Sequence, residues 1–94
     1  MLLNNKPTEF SIDTGADVTV IPKVLFERMH SGTSLQATSL TLYGTSNQTL
    51  PVKGRFTGEL KLGDTEVEEE VFVVRRLHRP LLGRPAIESF GLIK

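Results

Sequence analysis

One Asp13-Thr14-Gly15-Ala16 run, entered from the apolar residues Phe10-Ser11-Ile12, constrains this chain more than any other feature of its sequence. A carboxylate at the end of a short strand, followed by a hydroxyl residue and a glycine, fits a tight turn with its side chain facing a cavity. Two such carboxylates brought together cannot both stay ionised, so the pair shares a proton. One half then acts as base on a water and the other as acid toward a carbonyl. The chain carries one convincing copy. A protein of 94 residues with half of a two-carboxylate site is expected to work as a symmetric pair.

Composition narrows the alternatives. Ninety-four residues predict one domain over 1–94, marginal as an isolated monomer. Lys plus Arg equals Asp plus Glu, 11 each, so charge favours neither nucleic acid nor an anionic membrane as partner. No apolar run approaches the length of a membrane span, and the first residues do not form a signal peptide. Cysteine is absent, which excludes a disulfide framework and thiolate chemistry and suits a reducing compartment. His30 and His78 are too scattered for a metal site, so neither a metal nor a cofactor is expected.

Along the chain, Leu2-Leu3, Asn4-Asn5-Lys6-Pro7 and Glu9 to Ile12 read as strand, turn, strand. Val18 to Ile21 is β-branched and extended, and Pro22 opens a short helix over Lys23 to Met29. Leu40 to Tyr43 and Leu50 to Lys53 flank a polar hairpin tip, Gly44-Thr45-Ser46-Asn47-Gln48-Thr49. Arg55 to Leu62 alternates polar with apolar, and Gly63-Asp64 turns the chain into Val67 to Val74. The end of that strand, Val71 to Val74, is apolar enough for burial on both faces. Leu81-Leu82-Gly83 is a further apolar run, Pro85 to Phe90 a short helix stopped by Gly91, and Leu92-Ile93 a terminal strand. Many short strands predict an all-β, closed or nearly closed barrel-like domain with one short C-terminal helix.

Together, Ile12-Asp13-Thr14-Gly15-Ala16-Asp17, the polar hairpin and Leu81-Leu82-Gly83-Arg84 before a short helix resemble a retropepsin. This is the homodimeric aspartic protease of retroviruses and long-terminal-repeat retrotransposons. The second motif, Leu82-Gly83-Arg84-Pro85 with Ile87 and Gly91-Leu92-Ile93 after it, looks most like the gypsy class. The resemblance covers about residues 2 to 94.

It implies that Asp13 is the catalytic carboxylate, that Thr14 hydrogen-bonds across a dimer, and that Gly15 keeps a Cβ out of the reacting centre. Ala16 offers the carboxylate no hydroxyl donor, unlike Ser or Thr at this place. Asp17 and Arg84 are expected to form a buried or half-buried ion pair. Tyr43 to Lys53 is the expected flap over an extended peptide, so Ala16, Asp17, Tyr43, Gly44, Thr45, Ser46 and Asn47 are the expected substrate contacts. The implied setting is the cytoplasm or a retroelement particle, and the implied substrate a polyprotein. Two differences from retroviral members stand out. The flap tip carries Thr45-Ser46-Asn47-Gln48 where glycines are usual, and the 12 residues before Asp13 are taken up by the hairpin around Asn4-Asn5, so no N-terminal strand is expected to interleave at a dimer interface.

Other readings stay open on the sequence alone. The fold can serve as a noncatalytic dimerisation or peptide-binding domain, or as a monomeric β-barrel module in which the Asp13 turn is incidental. Asp64-Thr65-Glu66 lacks a glycine after the threonine and reads as a plain turn. The run Glu66, Glu68, Glu69, Glu70 reads as a solvated strand face, and Arg75-Arg76 with His78-Arg79 is too short and too poor in aromatics for RNA binding.

Overall fold

The computed structural model describes residues 1–29, 34–39, 41–43 and 49–92. Its first element is set by two asparagines. Asn4 and Asn5 both take positive φ, 49° and 67°, the backbone that a two-residue hairpin loop requires and that asparagine tolerates best after glycine. They join β1 (Leu2–Leu3) to β2 (Lys6–Pro7), with Leu3 opposite Lys6. The Asn4 side chain also accepts from the Glu59 N–H at 2.8 Å, so the turn is fastened to the neighbouring strand. The expected strand from Glu9 to Ile12 is therefore shortened. The return strand is β2, at Lys6–Pro7 where a turn is expected, and of Glu9 to Ile12 only Ser11–Ile12 is a strand, β3.

After the Asp13 loop comes β4 (Thr19–Pro22), then helix α1 (Lys23–Met29). Pro22 ends the strand, paired with Val74, and the helix spans the expected Lys23 to Met29. Strand β5 (Leu42–Tyr43) pairs with β6 (Thr49–Leu50), and the intervening 44–48 lie outside the described residues. The long hairpin of β7 (Val52–Leu62) and β8 (Thr65–Val74) follows, turning at Gly63. Strand β9 (Leu81–Leu82) and helix α2 (Arg84–Phe90) complete the order, with two short helices among the described residues. Gly91 stops α2 in the left-handed conformation, and the Gly91 and Leu92 N–H groups cap the carbonyls of Glu88 and Ile87. Ile93 and Lys94 of the expected terminal strand lie outside the described residues.

Among the described residues seven strands share one sheet in the order β2-β1-β7-β8-β4-β9-β3, curled into a half-barrel. The decisive step is the insertion of β9 between β3 and β4, neighbours in sequence. Strand β9 runs parallel to β3 and antiparallel to β4. The Asp13 loop, which joins β3 to β4, is thereby forced over the end of β9.

The buried apolar residues form two clusters, one around Leu3, Ile21, Phe56 and Leu82 and one around Val20, Phe72 and Val74. Phe56 and Leu60 of β7 alternate with exposed Thr57 and Glu59, as period-2 burial demands. Residues Val71 to Val74 are all buried, so the end of β8 is covered on both faces as its composition predicts. Leu3, Ile21, Leu60 and Leu82 are fully enclosed, each contributing about 1.5–3 kcal/mol of transfer free energy. Ala86 and Ile87 bring α2 onto this cluster, which fixes the segment that carries Arg84.

Candidate active site

Asp13 follows β3, and its backbone extends the pairing with β9: its N–H donates to the Leu82 carbonyl at 3.1 Å. The chain then turns. The Ala16 N–H reaches the Asp13 carbonyl at 3.0 Å, and the Gly15 N–H reaches Asp13 Oδ1 at the same distance. Asp at the first position of such a turn uses its own side chain to hold the backbone. A Cβ on Gly15 would lie 3.3 Å from Asp13 Oδ1, close enough to push that oxygen away.

The loop is closed from the other side by the segment after β9. Arg84 N–H donates to the Ala16 carbonyl at 2.9 Å, and Gly83 N–H donates to Thr19 Oγ1 at 3.1 Å. Thr19 is fully buried, and its hydroxyl satisfies a donor that would otherwise be stranded. Sequence reading missed this residue. The one polar side chain in the apolar run Val18 to Ile21 was the available signal. The Arg84 guanidinium ion-pairs with the Asp17 carboxylate. Expected to be buried or half-buried, the pair instead has side chains 56% and 76% exposed, because both residues sit on the outer rim of the loop.

Asp13 is half-buried, while Thr14 and Gly15 are exposed. Ile12 beside them is 51% exposed, a large apolar side chain left uncovered at the base of the site. Asp17, the next carboxylate along the chain, is already engaged by Arg84. No group of His, Asp or Glu able to hold a metal occurs among the described residues. Tyr43 pairs with Thr49 at the base of the polar hairpin; Gly44, Thr45, Ser46 and Asn47 lie outside the described residues. The arrangement supplies one positioned carboxylate per chain, sufficient for a base but not for a base and an acid together.

A family model described as aspartyl protease matches residues 1–86. The chain belongs to the aspartyl protease family. Its fold is that of a retropepsin, as solved structures bear out. The EIAV protease complexed with the inhibitor HBY-793 superposes with a TM-score of 0.80 at 22% identity, over 96% of this chain and 83% of that one. A retropepsin-like aspartic protease from Rickettsia conorii gives 0.68 at 23% identity, over 92% of this chain and 65% of that one. The retroviral protease-like domain of Ddi1 from Leishmania major gives 0.70 at 13% identity, covering 93% and 70%. No curated protein matches significantly in sequence. Among the described residues of this aspartyl protease family member, no helix is long and apolar enough to cross a membrane.

Proposed function

We propose that the chain is a homodimeric aspartic endopeptidase, one domain over 1–94 per subunit, in which two Asp13 carboxylates share a proton and activate a water between them. One observation carries this reading. The backbone around Asp13 is tied down on both sides by Leu82, Ala16 and Arg84, and Asp17 is committed to Arg84. The second carboxylate that the chemistry needs then comes from a second copy. The uncovered Ile12 beside Asp13 supports an interface at this place, since large exposed apolar side chains there gain by burial.

In this mechanism the ionised member of the pair takes a proton from the water as it attacks the peptide carbonyl. The protonated member donates to the carbonyl oxygen; as the C–N bond then breaks, the proton taken from water passes to the leaving amine and the diol returns its proton to the second carboxylate. No covalent intermediate forms. Thr14 bonds across the two-fold axis, and Gly15 lets the substrate backbone approach. The hairpin from Tyr43 to Lys53 closes over the peptide, with Gly44, Thr45, Ser46 and Asn47 at its tip and Ala16 and Asp17 on the opposite wall. The style of the Leu82-Gly83-Arg84-Pro85 motif favours a gypsy-class retroelement, with its polyprotein as substrate and the cytoplasm or a particle as setting.

Cleavage of a peptide library by wild type and by Asp13→Asn, with and without a pepstatin-like inhibitor, tests the reading. Wild-type cleavage that the inhibitor blocks and the substitution abolishes is the expected result. Binding of peptides without any cleavage would favour a noncatalytic peptide-binding domain instead.

A further inference from the structure

A groove of about 720 Å³ lies on the flank of the site, and Asp13 is not among the residues that line it. Its floor is apolar, from Phe10, Pro22, Leu25 and Leu77. Val24 stands on its lip, 57% exposed. Its charged and titratable lining is Arg28 at the end of α1, His78 and Arg79 of the loop before β9, and one carboxylate, Glu9. Among the described residues neither Arg28 nor Arg79 forms an ion pair; Arg79 donates to Ser11 Oγ at 3.3 Å.

Two unpaired guanidinium groups over an apolar floor fit an acidic, extended peptide: the stems and floor take its apolar atoms, the forks its carboxylates. We propose that this groove docks acidic side chains of the peptide substrate, next to but outside the cleavage centre. Ser11 lines the groove and lies two residues before Asp13, a span of about 7 Å in extended chain. A peptide passing Asp13 reaches the groove within a few residues. The cations are too few, with Glu9 opposing them, for the multiple phosphate contacts of nucleic acid. The ligand's status as substrate rests on the peptidase reading; its binding does not.

Fluorescence polarisation on Asp13→Asn separates the two. The probe is a fluorescein-labelled nonapeptide in which three glutamates alternate with valines, compared with its glutamine counterpart. At about 50 mM salt the glutamate peptide should bind about tenfold more tightly, an advantage that fades as salt rises. Adding Arg28→Gln with Arg79→Gln should erase it while circular dichroism reports an unchanged fold. Arg75→Gln with Arg76→Gln, charge-matched and outside the groove, should leave it intact. Equal binding of both peptides, an equal loss in the Arg75/Arg76 variant, or displacement of the probe by stoichiometric decauridylate would overturn the proposal. Wild-type hydrolysis of neutral peptides, assayed alongside, reports on the peptidase reading separately.

Discussion

Gly83 packs directly against the carbonyl of Val18: a Cβ placed there would overlap that carbonyl and sit 2.8 Å from the Thr19 nitrogen. The crossing strand segment and the Asp13 loop are thus in backbone contact, with no flexible side chain between them to yield. Gly83→Ala should therefore destabilise the fold by about 3 kcal/mol or more, the upper range for overpacking, because the loop itself must move. Denaturant unfolding measures it. A loss within about 0.5 kcal/mol would mean that the loop is not seated on β9.

Arg84→Ala should behave differently. The ion pair with Asp17 is exposed on both sides, so its loss should cost the single chain at most about 1 kcal/mol. The bond from the Arg84 N–H to the Ala16 carbonyl survives the change. Unfolding at protein concentrations low enough to keep the chain monomeric checks this. A cost of several kcal/mol there would show that the pair is shielded from solvent.

Burial raises the Glu69 carboxyl above its ordinary value of 4.5, outweighing a hydrogen bond from the Glu70 backbone that lowers it, and the Glu70 charge adds a smaller rise. Glu69 lies opposite Gly58, between Val67 and Val71 on the strand face that also carries the core. The folded chain then holds this proton more tightly than the unfolded chain does. Stability falls as pH rises from about the ordinary glutamate value through the raised one, and the penalty persists at neutral pH. Glu69→Gln should raise the melting temperature at pH 7, with the advantage shrinking below the ordinary value, where both states are protonated. A variant that melts lower than wild type at pH 7 contradicts the sign.

Much of this could be read from residues because local chemistry and global topology agree. The Asn4-Asn5 turn, the Gly91 stop, the doubly buried Val71 to Val74 and the alternation of β7 each follow from side-chain type at fixed spacing. The break after Lys6-Pro7 did not, because it depends on β1 pairing with β7 rather than on the run Glu9 to Ile12 itself. The insertion of β9 between β3 and β4 is a long-range pairing that no local pattern announces. The same holds for Thr19 as acceptor of the Gly83 N–H, and for the exposure of the Asp17–Arg84 pair.

In the proposed dimer two copies meet at the Asp13 loop, around Thr14 and the exposed Ile12. Each 1.4 kcal/mol of interface free energy changes the dissociation constant about tenfold, and a value within the micromolar range is the expected outcome. Specific activity should then rise with protein concentration, and an inhibitor that bridges both subunits should shift the population to dimer by mass action. Sedimentation over a hundredfold dilution series decides this. A dimer intact at nanomolar concentration would require another interface, and a chain that stays monomeric even with inhibitor would remove the second carboxylate.

The central claim is that Asp13 performs acid–base chemistry as one of a pair, and its most direct test is the initial rate of peptide cleavage by Asp13→Asn against wild type. The substitution preserves shape, so the circular dichroism spectrum should be unchanged while the rate falls by about 10⁴-fold or more. A folded Asp13→Asn protein that cleaves at close to the wild-type rate, freshly purified and free of host protease, would contradict the account.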